Sequence, residues 1–110
     1  MTKKMLVIAA GLALTSAVSA RAWAQAGKSI YDDKCASCHG TTGADGPAAA
    51  ALTPKPNPFS KTLAGKGDDW IAKATKEGGA AVGESPTMPP FSDLTDDQVK
   101  GLVAYIKGLK

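Results

Sequence analysis

Apolar side chains at Val99, Leu102, Val103 and Ile106 recur at i, i+3, i+4 and i+7, the stripe that a helix turns towards a core. Just ahead of them, Leu94-Thr95-Asp96-Asp97-Gln98 supplies a T-x-x-Q capping box, with Leu94 and Val99 spaced as a hydrophobic staple. Lys107 and Lys110 complement the negative end of the dipole. A second helix is expected from Asp68 to about Glu77, with two acids in its first turn, Trp70, Ile71 and Ala74 on its apolar face, and Gly78-Gly79 to stop it. Gly27 to Cys38 reads as a first helix, carrying Ile30, Tyr31 and Cys35 at helical spacing and ending at Gly40. Between these lie two loops. One spans Gly40 to Gly67, is stiffened by Pro54, Pro56 and Pro58, and has a single helical turn near Ala48–Leu52; the other spans Gly83 to Phe91 and holds three prolines. No alternating apolar run suggests a strand. The expected class is all-α, with three or more short helices joined by long loops.

The first two dozen residues follow a different pattern. Lys3 and Lys4 precede an apolar run from Met5 to Val18, and small residues follow, with Ala22-x-Ala24 and Ala24-x-Ala26 as cleavage sites. The run is short for a bilayer span. A cleaved export signal over residues 1–24 and a single domain over 25–110 are therefore expected, with cleavage after Ala26 as the alternative. Its removal also changes the charge argument. The whole chain has thirteen basic and ten acidic residues, but Lys3, Lys4 and Arg21 leave with the signal, so the remainder balances at ten of each. No basic stripe with interleaved aromatics supports nucleic-acid binding. A domain this small ordinarily needs a staple or a bound group to complete its core, and residues 25–110 hold only five aromatics, Tyr31, Phe59, Trp70, Phe91 and Tyr105.

The chemistry concentrates at Cys35-Ala36-Ser37-Cys38-His39, a C-x-x-C-H pentapeptide. On a helix, positions i, i+3 and i+4 share one face, so both sulfurs and the imidazole address one flat object. This is the spacing of c-type haem attachment, with two thioether links to the cysteines and the histidine nitrogen on iron. Three other uses compete. Structural zinc wants four nitrogen or sulfur ligands, and the chain has two cysteines and one histidine. A redox C-x-x-C sits at a strand-to-helix junction, and no strand pattern precedes Cys35. A short-loop disulfide of an exported protein is the third.

With His39 at one axial position, the group at the other sets the reactivity. An open position suits gas binding or peroxide chemistry, whereas a second protein ligand favours electron transfer. Beyond the export signal Met88 is the single methionine, set between prolines in Pro86-Thr87-Met88-Pro89-Pro90. Methionine also fills core gaps, which is the alternative role. As a soft thioether ligand it would favour ferrous iron and a fairly high reduction potential.

These marks together make the chain from about residue 26 to 110 resemble a small, bacterial, monohaem class I cytochrome c. They are Gly27-x-x-x-Tyr31 ahead of the pentapeptide, Gly46-Pro47, Met88-Pro89-Pro90, and Leu102-Val103-Ala104-Tyr105-Ile106. The resemblance implies the cytochrome c fold around one covalent haem c, held by Cys35 and Cys38 with His39 and Met88 as axial ligands. It further implies that Gly27 lets the first helix cross the last closely, with Tyr31 near Leu102 and Tyr105. The Pro47 carbonyl would accept the second ring proton of His39, and Trp70 would hydrogen-bond a haem propionate or serve simply as a core aromatic.

The implied function is a periplasmic electron carrier, not an enzyme. It would act as a monomer, without stable membrane insertion once the signal is cleaved, and would dock transiently with redox proteins as donor and acceptor. Lys34, Lys55, Lys61 and Lys66 are available as a local basic rim or as ordinary solvated lysines. Two rivals remain at this stage: a haem protein binding small gases at an open axial site, and a dedicated electron-accepting subunit of a periplasmic dehydrogenase.

Overall fold

The computed structural model describes residues 22–109, and five helices follow one another there: α1 (22–34), α2 (Ala36–His39), α3 (Phe59–Thr62), α4 (Asp68–Glu77) and α5 (Asp96–Gly108). Single 3-10 turns occur at Ala49–Ala51 and Gly79–Val82. No strand occurs among the described residues, in keeping with the all-α expectation. The export-signal segment through residue 21 and the terminal Lys110 lie outside the described residues.

α5 forms as its pattern requires. The Thr95 hydroxyl accepts the Gln98 amide at 3.1 Å and the Gln98 side-chain oxygen accepts the Thr95 amide at 2.8 Å, closing the capping box. Val99, Leu102, Val103 and Ile106 are all buried, and Leu102 has no exposed surface. They meet Tyr31 of α1, Phe59 of α3, Ile71 of α4 and the staple residue Leu94 in one core. Truncating a side chain as enclosed as Leu102 to alanine costs about 2–5 kcal/mol, because the cavity adds to the lost transfer energy.

Helix α1 crosses α5 where both lack side chains. A Cβ at Gly27 would collide with the Gly101 carbonyl oxygen, backbone against backbone, so no rotamer relieves it. One turn on, Tyr31 is buried with its ring tilted against Tyr105 at 5.2 Å and edge-on to Phe59 at 6.3 Å. Its hydroxyl donates to the Gly40 carbonyl at 2.5 Å, which joins α1 to the end of α2. Residues 22–26, at the end of the expected export signal, are helical and continuous with α1, and Lys100 sits over the Trp23 ring at 5.9 Å.

The expected first helix is thus longer at its start and broken near its end. At Cys35 (φ −119°, ψ −37°) α1 gives way to the single turn of α2. α4 has the expected bounds, with Gly78 at φ +89° ending it. α3 was not anticipated. Pro58 precedes it, Phe59 and Leu63 bury from it at i, i+4, and its first amide donates to the Thr42 carbonyl at 2.8 Å. Ion pairs Lys107–Asp68 (2.7 Å) and Lys76–Asp96 (2.9 Å) tie α4 and α5 at the surface, where such pairs contribute little.

Candidate functional site

A cavity of about 520 Å³ opens among α1, α2, α3, α4 and the loop 83–91, in the size range of small-molecule and cofactor sites. Cys35, Cys38 and His39 line it, and so does Met88, which the chain places 49 residues further on. Trp70 and Ile71 of α4, Phe59 and Leu63 around α3, and Leu52 with Pro56 make the rest of the wall mainly apolar. A wider groove of about 780 Å³ runs between α4 and α5, but it holds none of these chemistry-bearing side chains and is rimmed by the two ion pairs.

The wall that carries His39 is fixed by side-chain contacts. α2 is held at its end by His39 N–H to Cys35 carbonyl at 3.0 Å and Gly40 N–H to Ala36 carbonyl at 2.8 Å. Nδ1 of His39 lies 2.8 Å from the Gly43 carbonyl oxygen. A carbonyl only accepts, so Nδ1 is the donor here and Nε2 is the nitrogen of the neutral ring left to ligate. The ring stacks on Phe59 with centroids 5.3 Å apart and planes 26° from parallel. The loop that brings Gly43 into place is pinned by Asp45, which accepts the Thr42 amide (2.9 Å), the Thr42 hydroxyl (3.0 Å) and the Thr41 hydroxyl (3.0 Å). Chiefly the Thr42 amide holds the Asp45 carboxyl well below its ordinary value, at about 2.

The two cysteines are half-buried and are not paired with each other. Burial pushes the Cys35 thiol up to about 11, against the pull of Lys34. The catalytic cysteine of a redox C-x-x-C has its thiol shifted the other way. Burial at Cys35 thus runs against the thiolate character that a redox C-x-x-C needs. Among the described residues, no three His, Cys, Asp or Glu side chains gather around a point that would suit a bare metal ion.

The wall that carries Met88 is held by main-chain bonds. Gly79 N–H donates to the Met88 carbonyl at 3.1 Å, Glu84 N–H to the Gly79 carbonyl at 2.8 Å, and Phe91 N–H to the Thr75 carbonyl at 2.9 Å. Met88 N–H in turn donates to the Ser85 carbonyl at 3.3 Å. The loop is thus laid onto the C-terminal end of α4 and the segment that follows it.

Residues 22–106 match the family model described as cytochrome C oxidase, cbb3-type, subunit III. The chain belongs to this cytochrome c family. It is also 34% identical over 87 residues to a protein of Azospirillum sp. (strain B510) named Cbb3-type cytochrome c oxidase subunit CcoP. That alignment covers 76% of this chain but 27% of the relative, so the chain spans about a quarter of the curated protein it matches. No solved structure matches it. A c-type cytochrome implies covalently bound haem c and a part in electron transfer, and the cavity of this cytochrome fits that group. It presents two cysteine sulfurs and an imidazole anchored through Nδ1 on one wall, a thioether on another, and apolar surface between. Cys35 and Cys38 would hold the porphyrin by thioether links, His39 and Met88 are the side chains of the cavity able to ligate its iron, and the group would supply one-electron chemistry.

One expected role is corrected. Pro47 is exposed, and the group at His39 Nδ1 is the Gly43 carbonyl, because Gly43 is buried at φ +98° and turns its carbonyl back over α2. Trp70 lines the cavity, half-buried, with Lys66 over its ring at 5.1 Å. Lys34 and Lys55 also line the cavity, whereas Lys61 does not. Phe59 was missed as a site residue. Its signal was Phe59 and Leu63 at i, i+4 immediately after Pro58, hidden by the reading of that stretch as extended.

Proposed function

We propose that this cytochrome c is an exported one-electron carrier with a single haem c, attached through Cys35 and Cys38 and ligated axially by His39 and Met88. The observation that carries this is one apolar cavity lined by both ends of the chain's chemistry, the pentapeptide and its partner methionine. A protein sulfur at the sixth position closes the iron to small gases and keeps coordination unchanged between ferric and ferrous states. The carrier then makes no product of its own and works in the periplasm. Cleavage after Ala24 would leave the Gly27–Gly101 crossing within α1, while cleavage after Ala26 would put Gly27 at the new terminus.

The name of the Azospirillum relative favours a second reading of the partners, in which the domain is fixed to an oxidase-type complex instead of docking transiently as a monomer. Gel filtration of solubilised membranes and of periplasmic extract separates the two by where the haem absorbance elutes. The test of the primary reading is the visible spectrum. Low-spin ferric iron with the weak far-red band of a methionine–iron bond, and ferrous protein indifferent to carbon monoxide, are expected. High-spin iron that takes up carbon monoxide readily would make the chain a gas-binding haem protein.

A further inference from the structure

Gly78-Gly79 reads from sequence as a helix stop, but only Gly78 is needed for that. Gly79 lacks a positive φ and opens the 3-10 turn Gly79–Val82, so its backbone conformation admits any residue. Its surroundings do not. A Cβ there would collide with the Ser85 carbonyl oxygen and lie 3.3 Å from the Met88 Cβ. That same Ser85 oxygen accepts the Met88 amide, and Gly79 itself both donates to the Met88 carbonyl and accepts the Glu84 amide. Gly79 is buried beneath a turn whose last residue is the methionine.

We propose that Gly79 is the positioning residue for the sixth ligand: the space left by its missing side chain seats the Ser85–Met88 turn and so delivers the Met88 sulfur to the iron. This rests on Met88 being the axial ligand. Any side chain at residue 79 displaces the Ser85 carbonyl, because main chain cannot rotate away as a flexible side chain does. A displacement there is passed to Met88 within three residues, and a metal–sulfur bond tolerates little of it.

Gly83 supplies the control, since it lies in the same loop at φ +80° with nothing within 4 Å of its Cβ position. Gly83→Ala strains the loop but sets no new atom against the Ser85–Met88 turn. Three haem-loaded variants, Gly79→Ala, Gly83→Ala and Met88→Ala, are compared by ferric far-red absorption, midpoint potential and ferrous carbon monoxide binding. Gly79→Ala should lose the methionine–iron band, lower the midpoint and admit carbon monoxide as Met88→Ala does, while Gly83→Ala keeps the band. A Gly79→Ala protein with band and midpoint unchanged overturns the proposal. If Met88→Ala itself keeps both, the ligand assignment fails and this inference goes with it.

Should Gly79→Ala not load haem, amide exchange decides using proteins that do. Coupling is reciprocal, so releasing the sulfur in Met88→Ala should speed Gly79 amide exchange about tenfold, as for coupled sites generally. An unchanged Gly79 exchange rate overturns the proposal.

Discussion

The two walls of the cavity are built by different means. The His39 ring is set by contacts that depend on particular side chains: Nδ1 on the Gly43 carbonyl, a face stacked on Phe59, and a loop pinned through Asp45. Met88 is set mainly by the course of the main chain, through backbone bonds among Thr75, Gly79, Glu84, Ser85 and Phe91, with one side-chain bond in its turn, the Thr87 amide donating to the Ser85 hydroxyl at 3.1 Å. The first wall is sensitive to residue identity, and the second to whatever alters backbone shape. The His39 ring is held at its nitrogen and its face, while the half-buried Met88 thioether would gain its remaining restraint from the proposed bond to iron.

The most severe way to break this contrast is to remove the attachment itself. The Cys35→Ala/Cys38→Ala double variant should yield exported protein without the covalent chromophore, read as loss of haem absorbance after denaturing electrophoresis, whereas Met88→Ala should retain it. Equal loss in both would erase the distinction between the walls. Phe59→Ala comes next, because its ring supports His39 and fills the core. A cost of about 3–5 kcal/mol in denaturant unfolding is expected for a buried aromatic, with little effect from substitutions at the exposed Pro86.

Smaller effects sharpen the comparison. Tyr31→Phe removes the hydroxyl that ties α1 to Gly40 and should cost about 1 kcal/mol, leaving the spectrum intact. Asp45 gives a signature in pH. Its folded carboxyl is held at about 2 against an ordinary 3.8, so its stabilising effect is complete above about 3.8 and is lost as pH falls through about 2. The difference in melting temperature between the parent protein and Asp45→Asn should therefore shrink between pH 4 and pH 2. A difference that stays constant over that range would show that the Thr42–Asp45 turn does not hold the loop.

What the sequence announced follows from the same contrast. The capping box at Thr95, the α5 stripe and the pentapeptide are written in residue identity, and each stands where the pattern put it. The bounds of α4 were legible because acids open it and glycine closes it. α3 was not, since the prolines at 54, 56 and 58 dominate the local signal and its four residues are shaped by burial of Phe59 and Leu63. The pairing of His39 with Gly43 in place of Pro47 depends on a loop conformation that composition does not encode. The role of Gly79 was hidden for a related reason: a glycine needed for space looks the same in sequence as one that ends a helix.

The central claim is that His39 and Met88 complete one iron site, and the midpoint potential of the haem-loaded protein tests it most directly. Axial ligands set such potentials over about 0.8 V, with methionine raising them. Met88→Ala should lower the midpoint by tenths of a volt while the protein keeps its haem and its helix content. A midpoint that does not move on that substitution would contradict the account.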